Sequence, residues 1–199
     1  MFHDLSAIPT TFELEDQESN TCRSMAIADY HNTFMTLAIM SVIFGQIFGQ
    51  MCGSPCPTDW TLYRDSCYLF VDDGKSYLEA EEVCYSLSYF HRQSHLTSVV
   101  DHAEASFLAN LAQTSITSSA FMVWIGYDDL NDEGIFKWRD NSTSTLNDNW
   151  IDFNPDDYRG DEDCATIFAE NDANDGKFND YNCESTLPFI CKMRRRGFV

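Results

Sequence analysis

Asn154-Pro155-Asp156-Asp157-Tyr158-Arg159-Gly160-Asp161-Glu162-Asp163-Cys164, followed downstream by Phe178-Asn179-Asp180-Tyr181-Asn182-Cys183, are the stretches around which the chain organises itself. Carboxylates and side-chain amides crowd around one proline, and a cysteine ends each segment. Hard oxygen donors at this density suit Ca²⁺, which takes six to eight oxygens in flexible geometry. Neither segment offers the imidazoles or paired thiolates that zinc or copper would prefer. The pattern reads as a calcium cage built on loops and pinned by cysteines.

Charge supports the same reading. The 199 residues carry a formal net charge of −20, the wrong sign for binding nucleic-acid phosphates. Between Trp124 and Asp180 there are 16 Asp and Glu against 4 Lys and Arg, a local balance of −12. Such a block repels itself unless it is solvated or holds cations. With 44% hydrophobic and 14% aromatic residues, the chain can still bury one substantial core.

The eight cysteines are Cys22, Cys52, Cys56, Cys67, Cys84, Cys164, Cys183 and Cys191. No C-x-x-C pair occurs among them, which disfavours zinc ribbons and thioredoxin-type redox sites. The last six fall in one domain and suggest three disulfides and an oxidising compartment, with 15 pairings open on spacing alone.

The chain divides into four parts. Residues 1–33 are polar and acidic without a period and read as a disordered or non-native extension. Residues 34–53 contain FMTLAIMSVIFGQIF at Phe34–Phe48, too short and too broken by Gly45 and Gln46 for an ordinary membrane span. The run has the size of a signal-peptide core, so secretion is expected; the alternative is an uncleaved signal anchor, a type II membrane protein. Either reading lacks a basic flank, since Arg23 is the one positive charge before it. Residues 56–192 read as one domain, and 193–199 as a solvated basic tail together with Lys192.

Within the domain, Ser76-Tyr77-Leu78-Glu79 opens SYLEAEEVCYSL as a capping box, with Leu78, Val83, Cys84 and Leu87 as its inward stripe. Asp101 through Glu104 does the same for DHAEASFLANLAQ, with Phe107, Leu108 and Leu111 inward. Strands are expected at His95–Val100, Met122–Tyr127, Ile135–Trp138, Ala165–Ala169 and Phe189–Lys192. Between the third and fourth of these lies Arg139–Asp163, too polar for core; loops of that length in a compact domain are usually functional.

Seven features occur in a specific order: CPTDWTLYRDSCYLF at Cys56–Phe70, the helix bearing Cys84, HLTSVVDHAE at His95–Glu104, WIGY at Trp124–Tyr127, FKW at Phe136–Trp138, EDC at Glu162–Cys164 and PFIC at Pro188–Cys191. Together they make residues 56–192 resemble a C-type lectin-like domain. The resemblance implies an α+β fold: two helices packed on antiparallel sheets, a long calcium-binding loop region and three disulfides. The family's pairing would be Cys84–Cys191, Cys164–Cys183 and Cys56–Cys67, the last marking the long form of the domain. Closing a loop of about 100 residues contributes about 4–5 kcal/mol in the chain-entropy account.

The same resemblance carries over a ligand set. The principal calcium site would take Asn154 and Asp156 around Pro155, then Glu162, Asn179 and Asp180. An accessory site would take Asp129, Glu133, Asp157, Glu162 and Asp163, all carboxylates here. In the family a sugar's vicinal diol completes the calcium shell, and the order around the proline selects the sugar: Glu-Pro-Asn goes with mannose-type ligands, Gln-Pro-Asp with galactose-type. Asn-Pro-Asp has the galactose order, and Tyr158 stands where galactose binders carry a stacking aromatic. Three departures stand beside that: Asn154 is a methylene shorter than Gln, the glycine-rich loop before Glu162 is missing, and Phe178 replaces the usual Trp.

The expected function is therefore a calcium-dependent carbohydrate-binding lectin, with glycans on cells or microbes as partners and no nucleic acid. A calcium-ordered protein-interaction module, or a mannose-type lectin, is the alternative. No nucleophile, base and orienter set is present for an enzyme. Asn141-Ser142-Thr143 is a glycosylation sequon in a chain read as secreted. His91 with His95 is not expected to bind metal, and Asp172–Gly176 imitates an EF-hand start with Ala173 at a ligand position. A homo-oligomer is expected because weak single sites gain avidity by clustering.

Overall fold

The computed structural model describes residues 55–196, except 90, 118–119, 145, 147 and 171–174. The extension 1–33 and the apolar segment 34–53, with Cys22 and Cys52, lie outside the described residues, as does most of the EF-hand-like stretch. In order, the elements are β1 Thr61–Tyr63, β2 Ser66–Lys75, α1 Tyr77–Ser86, β3 Ser94–Leu96, α2 His102–Ser115, β4 Met122–Asp128, β5 Lys137–Trp138, β6 Cys164–Phe168, β7 Phe178–Tyr181 and β8 Leu187–Arg194.

All eight strands belong to one sheet, ordered β1-β2-β8-β4-β6-β7, with β3 also paired to β8 and β5 to β4. The sheet is mixed rather than purely antiparallel, because β8 returns to its middle and runs parallel to β4 at Trp124 and Phe189. β2 is the longest strand and none of the expected ones. Its Asp72-Asp73-Gly74 imitates a turn, whereas the strand absorbs these residues as an irregularity between Val71 and Lys75 in its pairing with β8. The expected strand at His95–Val100 contracts to β3, although Thr97 N still donates to Ile190 O at 2.9 Å. Gly126 explains the WIGY motif. A Cβ there would lie 2.5 Å from the Leu96 carbonyl oxygen, so β4 can pass the end of β3 only without a side chain.

At the start of α1, Glu79 Oε2 accepts from the Ser76 backbone N–H at 3.1 Å and from its hydroxyl at 2.9 Å. The buried face is Tyr77, Ala80 and Cys84, while Leu78 and Leu87 lie exposed. That corrects the expected stripe: positions i, i+3 and i+7 counted from Tyr77 face the sheet, and Leu78 falls off that face. In α2, Asp101 accepts from Glu104 N at 2.8 Å as a proper N-cap. Leu108 is buried as expected, and Phe107 and Leu111 pack against the core partly buried, alongside Ala105, Ala109 and Ala112.

Glu104 does not complete a capping box. Its carboxylate is buried and accepts from Val100 N at 2.7 Å, from the Tyr68 hydroxyl and from Lys192 Nζ at 2.7 Å. Lys192 is thus the partner of a buried carboxylate rather than part of a solvated tail. β8 continues to Arg194, and Met193 is 2% exposed, so the domain extends past residue 192. The two ends of the domain also meet: Arg196 N donates to Pro55 O at 2.9 Å, and Arg92 Nη1 reaches the same oxygen at 3.2 Å.

Three disulfides join Cys56 to Cys67, Cys84 to Cys191 and Cys164 to Cys183, with Cα separations of 5.6, 5.3 and 5.3 Å. The second ties α1 to the central strand β8 across 107 residues. Among the described residues no helix is long and apolar enough to cross a membrane.

Candidate functional site

The long acidic loop is held by its few apolar and amide residues. Asn149, 2% exposed, donates through Nδ2 to Gly176 O at 2.7 Å, and its carbonyl accepts from Phe178 N at 2.8 Å. Ile151 N donates to Phe178 O at 2.9 Å, so residues 149–151 lie along the start of β7. Trp150 packs edge-on to Phe178 at 5.9 Å and to Phe136 at 4.9 Å. These contacts bring the loop beyond Trp150 over the outer residues of β7. In the sequence Asn149 is one polar residue among many in this loop, and only its burial identifies it as the anchor.

β7 alternates: Phe178 and Asp180 are buried while Asn179 and Tyr181 are partly open. Asp180, with no exposed surface, is the centre of the site. Asn154 Nδ2 donates to its Oδ1 at 2.6 Å and to Asn179 Oδ1 at 2.8 Å. The backbone N–H groups of Asp156 and Asp157 donate to Asp180 Oδ2 at 2.8 and 2.7 Å. The Asn154–Pro155 peptide bond is cis. Glu162 accepts from Tyr158 N at 3.3 Å, and its own N–H donates to Asp157 Oδ1 at 3.3 Å.

One carboxylate oxygen from each of Asp156, Glu162 and Asp180 lies within 4.8 Å of the others. Glu162 is held above the ordinary carboxylate range, first by burial and then by the charges of Asp180, Asp156 and Asp157. Neutral amide and backbone donors are what hold Asp180 here. A cation would take their place, and Asn154 would then present its oxygen after a half-turn of its amide. The residues therefore fit Ca²⁺ in charge and donor type.

A second acidic group adjoins the first. Asp129 is 4% exposed; its Oδ2 accepts from Gly134 N at 2.7 Å, whereas its Oδ1 is buried without a hydrogen-bond partner among the described residues. Burial, and then Asp163 and Asp128, push its carboxyl upward. The exposed Glu133 is raised by Asp129 first, with Asp157 and Asp163 adding to the effect. Asp129 N donates to Asp163 O at 3.1 Å, and these carboxylates lie near enough to raise one another, although among the described residues they do not converge as Asp156, Glu162 and Asp180 do; an orphaned buried oxygen among like charges nevertheless suits a second cation. Neighbouring Asp128 is neutralised separately: it pairs with Arg139 Nε at 2.6 Å and accepts from the Tyr77 hydroxyl at 2.8 Å.

Tyr158 is 58% exposed, with the Arg159 guanidinium 4.9 Å from its ring centroid. Asn141 is exposed, with φ of 56°. His95 Nδ1 lies 2.7 Å from Glu81 Oε1, so that imidazole is engaged by α1 rather than by His91.

The lectin C-type domain family matches residues 73–193. Over 134 residues the chain is 35% identical to an alpha-N-acetylgalactosamine-specific lectin of Patiria pectinifera, covering 67% of this chain and 77% of that one. Echinoidin of Heliocidaris crassispina is 32% identical over 145 residues, 69% of this chain and 96% of its own. Among solved structures, the C-type lectin CEL-I from Cucumaria echinata superposes with a TM-score of 0.65 at 29% identity, covering 71% of this chain and 99% of that one. Profile, relatives and fold agree with the geometry above: the chain belongs to the C-type lectin domain family, whose members are carbohydrate-binding domains rather than enzymes.

Proposed function

We propose that this chain is a calcium-dependent lectin that reads a sugar's vicinal diol at Asn154, Asp156, Glu162, Asn179 and Asp180, with a second calcium at Asp129, Glu133, Asp157, Glu162 and Asp163. The observation that carries it is the convergence of Asp156, Glu162 and Asp180 within 4.8 Å. When bound, Ca²⁺ supplies open coordination positions for two adjacent hydroxyls. The residues around it do the discriminating. Asp156, exposed at the rim, accepts a hydrogen bond from one hydroxyl; Asn154 donates its amide N–H to the hydroxyl beside it; Asp180, buried beneath, would hold the ion.

Galactose-type sugars fit this order best. Amide-proline-acid is the sequence expected for them, and Tyr158 offers an exposed ring to a sugar's apolar C–H face. The relative from Patiria pectinifera, named for N-acetylgalactosamine specificity, supports the same preference. The setting is extracellular, consistent with three disulfides and a sequon at exposed Asn141, and the partners are glycans on cells or microbes, met by a clustered oligomer.

A glycan array probed with Ca²⁺ and with chelator tests the reading. Binding to galactose-terminated glycans that vanishes in chelator is expected. Mannose-type selectivity would overturn the motif order and leave the lectin; calcium binding with no glycan bound would make the chain a calcium-ordered interaction module.

A further inference from the structure

Several cations of this acidic chain gather where the two ends of the domain meet. Besides sharing the Pro55 carbonyl with Arg196 N, Arg92 Nη1 donates to Arg194 O at 3.1 Å. Arg92 Nε reaches Tyr89 O at 3.3 Å, and the guanidinium stands 5.7 Å from the Tyr89 ring centroid. Around this knot Arg64 is neutralised by Asp101, Arg195 by Asp65 and Lys192 by Glu104, at 2.6, 2.8 and 2.7 Å. Among the described residues no carboxylate pairs with Arg92, Arg194 or Arg196. Carbonyls and a ring thus fix Arg92 without cancelling its charge, and its Nη2 keeps two N–H groups for a ligand. Arg194 closes β8 and Arg196 follows two residues later, so both exposed side chains leave one side of the extended chain, while Arg195 turns to Asp65.

Arg92 is also one wall of an open groove of about 440 Å³, lined with it by Tyr85, Ser88, Tyr89, His91 and Gln93. A tight turn sets its shape: Tyr89 N and Arg92 N each donate to the other's carbonyl at 3.0 Å, with His91 at φ 61°. Tyr85 and Tyr89 stay 54% and 49% exposed, and Gln93 is exposed beside them. Such rings suit the C–H faces of sugars, the amide suits hydroxyls, and guanidinium forks suit the oxygens of a sulfate. The net −20 does not forbid an anion here. In the pairing of β2 with β8, Ser66 faces Arg194 while Lys75 faces Leu187, about 23 Å away at about 3.3 Å per residue. The acidic loops are tied to the Leu187 end, through Tyr77 N to Cys183 O and the Cys164–Cys183 disulfide. That distance exceeds two Debye lengths of about 8 Å, so a polyanion at the knot meets the local surplus of arginine. We infer that the arginine knot and its tyrosine groove bind a sulfated polysaccharide. The three disulfides suit an oxidising, extracellular setting, where a polyanionic chain is a sulfated polysaccharide rather than a nucleic acid. This site needs no calcium and does not rest on the lectin reading.

Heparin is the probe, titrated by surface plasmon resonance against the full chain in chelator, which silences the calcium loops. Binding is expected there. With three arginines engaged and about 0.9 counterion released by each, affinity falls about 40-fold between 50 and 200 mM salt; in the double variant Arg194→Gln, Arg196→Gln it falls only about three- to fourfold. Arg194→Lys with Arg196→Lys keeps both charges and the steep salt dependence. Tyr85→Ala weakens binding about two- to tenfold and leaves the salt dependence unchanged, as loss of a stacking face requires. No heparin binding at the lower salt, or a salt dependence that survives the glutamine pair, overturns the inference. Binding that vanishes in chelator also overturns it, because the sulfated sugar would then be held at the calcium loops. Single-stranded DNA binding as tightly as heparin overturns the ligand class. Self-association without heparin that the glutamine pair abolishes overturns it too, making the acidic loops of a second copy the occupant.

Discussion

Replacing Asp180 by asparagine separates what this carboxylate does for the fold from what it does for calcium. In the metal-free domain its two oxygens accept three hydrogen bonds: from Asn154 Nδ2 at 2.6 Å on one, and from the Asp156 and Asp157 N–H groups at 2.8 and 2.7 Å on the other. The new amide keeps one oxygen, which can still face both backbone N–H groups. Its NH₂ then meets the NH₂ of Asn154, and turning Asn154 over would break its bond to Asn179 Oδ1. About one hydrogen bond is lost, about 1 kcal/mol, and removing a charge beside Glu162 and Asp156 offsets part of that. Without calcium the melting temperature should therefore fall by no more than about 2–4 °C. With calcium the difference is larger. At a free concentration 100 times Kd, one bound ion stabilises the fold by about 2.7 kcal/mol, or about 5–10 °C. A hundredfold loss of affinity leaves about 0.4 kcal/mol, a shift of about 1 °C. Melts of wild type and Asp180→Asn in chelator and in Ca²⁺ measure both. A variant that keeps the full calcium increment would refute the placement of the ion at Asp180.

Four further outcomes follow from the same geometry. Asp129, Glu133 and Glu162 have raised carboxyl pKa values in the metal-free domain, so their ionisation opposes folding. Their favourable contribution is present below the ordinary carboxylate range and is lost as pH rises through the raised values; chelated domain should gain stability on acidification from neutrality toward that range, while calcium affinity by calorimetry falls because protons compete for the same oxygens. Exchanging the rim residues in the double variant Asn154→Glu, Asp156→Asn should retain calcium and move monosaccharide competition toward mannose. Tyr158→Ala should weaken galactose competition by about two- to tenfold without altering calcium affinity. Lys192→Met strands a buried carboxylate, still held by Val100 N and Tyr68; about 3 kcal/mol, seen as a drop of about 6–12 °C in melting temperature, should be partly recovered by Glu104→Gln in the same chain.

The parts of the fold written in short-range pattern were legible. The ends of α1 and α2 are announced by Ser76 and Asp101, and WIGY marks the strand that passes Leu96. β2 was hidden because Asp72-Asp73-Gly74 has turn composition; only its pairing with β8 makes a strand of it. Glu104 and Lys192 are hidden for a related reason: in the sequence one has the place of half a capping box and the other that of a tail, since 88 residues separate partners that meet only when β8 enters the sheet. At the site, the carboxylates and the Asn-Asp pair stood out by chemistry, but the anchors that aim them did not. Asn149, and the ion pair of Asp128 with Arg139, are ordinary polar residues in the sequence, and burial alone gives them their role.

The closure of the two ends of the domain sets how it would bear mechanical load. Pro55 and Arg196 leave from one place, joined through a single carbonyl. Tension applied between them would first strip that bond and then peel Lys192 to Arg196 from β2 and β3, breaking one pair at a time. Cys191, bonded to Cys84, arrests the peeling there, and on the other side Cys56, bonded to Cys67, holds the leading segment to β2. The extension available before a covalent stop is thus a handful of residues at either end. A pull on the ends of the domain would be spent in slack at the margin and would not reach the acidic loops around Asp180.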